Sequence, residues 1–88
     1  MNARDLVAWN TRRIRVSRGI SSEALAANAG VDRAYVSRIE RAVANASIDV
    51  LERIAGVLGV EMAELFAVPA PHEERPKPLS GGRRRSAR

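Results

Sequence analysis

SEALAANAGVDRAYVSRIER, residues Ser22 to Arg41, places Leu25 and Ala29 four apart and Val36 and Ile39 three apart, with the only glycine of the stretch, Gly30, between the two pairs. Residues three or four apart share one face of an α-helix, so the spacing predicts two short helices, each with an apolar stripe, meeting across one turn. Ala26 is small where the second helix must approach the first, and Gly30 can adopt the left-handed backbone that stops the first helix. Val31 then tucks the turn under a shared core. Asp32 stands where a side-chain acceptor caps the helix that follows.

Two helices joined in this way form a helix-turn-helix, whose second helix fits the major groove of duplex DNA. An ordinary αα-hairpin satisfies the apolar spacing equally well but has no need of the arginines on the outer face. With Val36 and Ile39 turned inward on a helix over about residues 33–41, the outward positions near its start are Arg33, Ala34, Ser37 and Arg38. Arginine bonds the two guanine acceptors bidentately, serine donates or accepts, and an alanine methyl touches a thymine methyl, so these four are candidate base contacts. Candidate phosphate contacts are the free amides and hydroxyl at Ser22, where the first of the two helices begins, then Arg41, one or both of Arg12 and Arg13, and Tyr35 through its hydroxyl or its ring.

Outward from this stretch the chain reads as further helices. Val7, Thr11 and Ile14 follow helical spacing and Gly19 ends the pattern, which predicts a helix over about residues 3–18. Thr11 stands on its core face, where its hydroxyl needs a carbonyl partner or a place at the rim. Trp9, on another face, reads as an apolar lid at the core edge. Ser21 or Ser22 caps the second helix, and Glu23 suits its dipole. Ser47 caps a fourth helix with the stripe Leu51, Ile54, Ala55 and Leu58, ended by Gly59. Met62, Leu65 and Phe66 belong to a short fifth helix over about residues 61–66. Between the third and fourth helices, Ala42 to Ala46 contains neither glycine nor proline. A left-handed Ala42 costs about 1 kcal/mol, so the loop is expected to extend the third helix or to bend differently.

The expectation is therefore an all-α domain over residues 1–68 and a tail over 69–88, where Pro69, Pro71, Pro76, Pro78, Gly81 and Gly82 leave almost nothing apolar and imply disorder. The chain carries a net charge of +5, of which residues 69–88 hold +4. Within the domain, residues 12–41 hold +4 and residues 42–68 hold −3, the polarity expected of one face turned to phosphate and another turned away. The basic end SGGRRRSAR can add nonspecific phosphate contacts or enter a minor groove. With 88 residues and no cysteine, the chain has no disulfide or thiolate site, and a modest core at most. The lone His72 has nothing around it that suggests a metal. No catalytic constellation and no glycine-rich phosphate loop appear, so an enzyme is not expected. No cofactor or small-molecule ligand is evident. Without a secretory signal or a membrane-length apolar run, a cytoplasmic protein with no membrane partner is expected.

From about Val7 to Phe66 the chain resembles the lambda-repressor/Cro-like (Xre) helix-turn-helix family, through RRIRVSRGISSEALA (12–26), AGVDRAYVSRIER (29–41) and SIDVLERIAGVLGV (47–60). The resemblance implies a five-helix domain and a sequence-specific transcriptional regulator of double-stranded DNA. It also implies pairing of Arg15 with Glu40, which would lock the first helix to the end of the third. The chain departs from the family at Ser22, commonly glutamine, and at Ala42 and Ala46, commonly glycine and proline. A homodimer on a two-fold operator is expected because one small reading helix gives limited specificity, with Met62, Leu65 and Phe66 as its face, although Met62 and Leu65 suit the chain's own core equally well. Three other readings stand beside this one. They are a controller of a restriction-modification locus or an antitoxin, a protein-binding adaptor built on the same scaffold, and a tail-driven nonspecific nucleic-acid binder.

Overall fold

Helix starts and stops in this chain are set by local hydrogen bonds. The computed structural model describes residues 1–70, which form α1 (Ala3–Ser17), α2 (Ser22–Ala29), α3 (Arg33–Glu40), α4 (Ile48–Leu58) and a 3-10 helix (Met62–Phe66), with no strand among the described residues. Asn2 and Asp5 cap α1 reciprocally: the Asp5 amide donates to Asn2 Oδ1 at 2.9 Å and the Asn2 amide to Asp5 Oδ2 at 3.2 Å. Ser21 Oγ accepts from the Ala24 amide at 3.0 Å, and Ser47 Oγ from the Val50 amide at 3.1 Å, so α2 and α4 each have a serine cap. Asp32 occupies the cap position of α3, but its side chain makes no capping bond, contrary to the expectation from sequence.

All four helices end by the same closure. The amides of Ile20, Val31, Val43 and Val60 each donate to a carbonyl five residues back, at 3.0 Å, and the residue before each of them has positive φ. Three of those residues are glycines. The fourth is Ala42, at φ 63°, so the loop after α3 neither extends the helix nor bends differently but takes the strained left-handed form. Its closure makes two bonds, Ala42 N–H to Ile39 O and Val43 N–H to Arg38 O, both at 3.0 Å.

A single core joins all the elements. Leu25, Val36, Ile54 and Leu65 are fully buried, with Val7, Ile14, Ala26, Ala29, Ile39, Leu51, Ala55 and Leu58 around them. α3 packs on α1 and α2, while α4 packs on α1, α2 and the 3-10 helix. The expected fifth α-helix is instead a 3-10 helix, closed by Glu64 N–H to Glu61 O at 2.9 Å. Glu61 before it and Ala67 after it are both extended, which leaves only the 5 residues Met62–Phe66, a run too short to sustain an α-helix. Thr11 also departs from expectation. It is fully buried, not at the rim, and its hydroxyl has no partner. Trp9 is buried but lies outside the main apolar cluster, with its indole Nε1 unpartnered. The tail's His72 and basic run lie outside the described residues.

Candidate nucleic-acid interface

The outer face of α3 is free because its inner face is fully spent on the core. Val36 and Ile39 are buried, while Arg33, Ala34, Ser37, Arg38 and Arg41 are all exposed. At about 100° per residue, Ala34, Ser37 and Arg41 form the outermost ridge, with Arg33 on one flank and Arg38 on the other. None of the three arginines has a hydrogen bond or ion pair among the described residues, so their donors remain available to a ligand. Tyr35 is half-buried against the core, and the Arg38 guanidinium lies over its ring, 5.3 Å from the centroid.

The helix is held in place by a buried ion pair. Arg15 Nε donates to Glu40 Oε2 at 2.6 Å and an Arg15 terminal nitrogen donates to Oε1 at 2.9 Å. Both side chains are about nine-tenths buried, and the remaining Arg15 terminal nitrogen donates to the Ile20 carbonyl at 2.9 Å. One guanidinium therefore ties α1 to the end of α3 and to the turn before α2. The pairing that the family resemblance implies is present, in its bidentate form.

The expected phosphate contacts are placed unequally. Ser22 is half-buried at the start of α2, where the Ser22 and Glu23 amides have no partner among the described residues. Arg12 lies about 60° round α1 from Arg15 and is half-buried, with its Nε buried and without a partner. An Arg13 terminal nitrogen donates to Asn10 Oδ1 at 3.0 Å. Asn10 in turn donates through Nδ2 to the carbonyls of Leu65 at 3.0 Å and Ala67 at 2.8 Å. Arg13 thus belongs to the latch between α1 and the 3-10 helix and is not grouped with the α3 arginines.

Three structural side chains lacked a signal strong enough to be read as such. Asn10 is buried, and the hint was a polar residue three after Val7 and four before Ile14, on the core stripe itself. Arg4 donates to the Ala44 carbonyl at 3.3 Å and Arg53 to the Ala29 carbonyl at 3.0 Å, bonds to backbone that residue spacing does not reveal. Of the expected dimer face, Leu65 is fully buried in the chain's own core and is unavailable to a partner, whereas Met62 is half-buried and Phe66 is 37% exposed.

Charge is distributed as the sequence indicated. Exposed Arg33 and Arg38 stand on α3 and exposed Arg41 just past its end, while exposed Asp49, Glu52, Glu61 and Glu64 stand on or beside α4 and the 3-10 helix. No described helix is long and apolar enough to cross a membrane, and the described residues contain no cluster of His, Cys, Asp and Glu suited to a metal ion.

A family model described as Helix-turn-helix matches residues 12–65. The Neisseria hypothetical transcription factor of Neisseria meningitidis serogroup B is 41% identical over 66 residues, which are 75% of this chain and 62% of that protein. This chain therefore spans less than two thirds of that relative. Control protein C.BamHI of Bacillus amyloliquefaciens is 40% identical over 66 residues, 74% of this chain and 82% of its own length. The crystal structure of hypothetical transcription factor NHTF from Neisseria superposes with a TM-score of 0.74 at 40% identity, covering 77% of this chain and 78% of that one.

Proposed function

The chain belongs to the lambda-repressor/Cro-like helix-turn-helix family, and from that premise we propose that it is a DNA-binding transcriptional regulator that reads duplex DNA with α3 in the major groove. The observation that carries this reading is the outer face of α3, where Arg33 and Arg38, with Arg41 just past the helix end, are exposed with unspent donors, while the other side of the helix is anchored in the core and clamped by Arg15 and Glu40. Arg33, Ala34, Ser37 and Arg38 meet base edges, with the arginines taking guanine. Arg41, Arg12 and the free amides at Ser22 take phosphate. The protein acts in the cytoplasm, without cofactor or catalytic step.

The regulator acts as a homodimer on a two-fold operator, so that two copies of α3 double the sequence read. Its face is Met62 and Phe66, extended by Val68, which is 80% exposed. Phe66→Glu is expected to convert the dimer to monomer in sedimentation and to weaken operator binding. A monomeric wild type that binds a single half-site would remove the dimer from the proposal.

A narrower regulatory role is favoured by the likeness to control protein C.BamHI, namely control of a restriction-modification locus. The genes beside this one decide that point. The DNA-binding role is tested by titrating duplex at increasing salt with the whole chain and with a chain ending at Val68. The whole chain is expected to give a steep negative slope of log K against log salt, and the short chain to keep its preference for one duplex sequence over another. Loss of all binding on shortening would assign the activity to the tail instead.

A further inference from the structure

The two arginines that flank the outer ridge of α3 are held very differently. Arg33 stands at the first turn with no side chain stacked on it. Arg38, one turn later, reaches back over the ring of Tyr35, as helical side chains three residues apart do. Tyr35 is itself half-buried and packed against the core, so its ring is a fixed surface rather than a second mobile arm. Together with Gly30, Val31 and Asp32 the pair lines a shallow cleft beside the turn between α2 and α3. The Arg38 guanidinium lies over the ring and makes no hydrogen bond among the described residues, so this contact leaves its N–H donors free. The contrast with Arg15 is direct: there the donors are consumed by Glu40 and the Ile20 carbonyl.

Given the groove-reading role of α3 proposed above, we infer that Tyr35 is a positioning residue for Arg38: its ring fixes the plane of the guanidinium before DNA arrives, and so sets how sharply one base pair is discriminated. An unsupported arginine has to surrender rotamer freedom on binding, whereas one already stacked surrenders less. The tyrosine hydroxyl is not needed for this role, which separates it from a phosphate contact through that hydroxyl. Arg38 is then the sharper reader of the two flanking arginines. Arg33 adapts to more than one base.

The test uses the whole chain and a duplex sequence selected by it from random DNA. Arg38→Ala first identifies the base pair at which discrimination is lost. Tyr35→Leu, which keeps apolar bulk without the ring, is expected to reduce discrimination at that same pair about two- to fivefold, the worth of an exposed cation–π contact, while affinity for unrelated duplex is unchanged. Tyr35→Phe is expected to retain wild-type discrimination. In an Arg38→Ala background, Tyr35→Leu is expected to add nothing at that pair. Arg38→Lys, at an exposed position where folding is not at issue, keeps the charge but not the planar fork and is expected to lose discrimination as well. Nuclear magnetic resonance of the free protein supplies a readout independent of DNA: the Arg38 side-chain protons are expected to show ring-current shifts in wild type and Tyr35→Phe that vanish in Tyr35→Leu.

Equal losses in Tyr35→Phe and Tyr35→Leu would overturn the positioning role in favour of the hydroxyl. A further loss from Tyr35→Leu without Arg38 would overturn it too. Sequence preference without any ring-current shift overturns the positioning role alone. A ring-current shift in a protein with no sequence preference overturns the reading of α3 as a recognition helix, and the positioning role with it.

Discussion

The turns at the two ends of α3 share one hydrogen-bond pattern and differ in what fills it. Before α3, Gly30 takes the left-handed position at φ 74° without penalty, and Val31 follows half-buried against the core. After α3, Ala42 takes the same position at φ 63°, and Val43 is 59% exposed. The first turn has both components that make this closure stable, a residue indifferent to positive φ and an apolar residue packed beneath it. The second has neither. Its geometry persists because Arg15 fixes Glu40 two residues earlier and because Ala44, two residues later, is buried and accepts a hydrogen bond from Arg4. Helix α3 is thus seated by its own turn at one end and braced by distant side chains at the other.

That difference can be broken most severely through the brace. Glu40→Ala leaves the Arg15 guanidinium buried without its partner and is expected to cost roughly 3 kcal/mol, measured as a lower midpoint in urea. A midpoint equal to wild type would mean that the second turn stands without help. Gly30→Ala comes next, at about 1–2 kcal/mol, since it places a side chain at positive φ in the turn that now has none. Ala42→Gly acts in the opposite direction. Relief of left-handed strain outweighs the added freedom of the unfolded chain, and a gain of about 0.5–1 kcal/mol is expected in the same titration. A loss on Ala42→Gly would show that the Cβ of Ala42 is engaged in packing that offsets its strain. The smallest effect is expected at Val43→Ser, within about 0.5 kcal/mol, because a side chain already in water contributes little to the fold.

Away from the two turns, Thr11→Val sharpens the same point about unspent interactions. The buried hydroxyl has no partner, so its replacement by a methyl of similar shape is expected to raise thermal stability by about 1 kcal/mol. A lowered melting temperature would reveal a hydrogen bond at Thr11 in solution.

How far the sequence could be read follows from the range of the forces involved. Helices α1 to α4 were legible within a residue or so of each end, because apolar spacing, serine caps and terminal glycines act over three to five residues. The outer face of α3 was legible for the same reason: once Val36 and Ile39 are buried, helical geometry exposes Arg33, Ala34, Ser37 and Arg38. The pairing of Arg15 with Glu40 came only through family resemblance, since nothing local to either residue points to the other. Ala42 was misjudged because local propensity disfavours a left-handed alanine, and the brace that overrides it is assembled from α1. Asn10 was not read at all. Besides the Leu6 carbonyl one turn back, its acceptors are the Leu65 and Ala67 carbonyls, 55 and 57 residues away, and backbone acceptors carry no sequence signature. Leu65 could not be assigned between core and partner surface from a stripe that suits both, and its complete burial settles it as core.

The proposed role of the unspent arginines of α3 is to read bases rather than merely to attract phosphate. It is tested most directly by measuring the affinity of wild type and an Arg33→Ala, Arg38→Ala double variant for a selected operator and for random duplex at one fixed salt concentration. The expected result is a loss of about 2–6 kcal/mol on the operator with far less change on random duplex. Equal losses on the two duplexes would contradict the claim, leaving α3 a basic surface with no part in sequence choice.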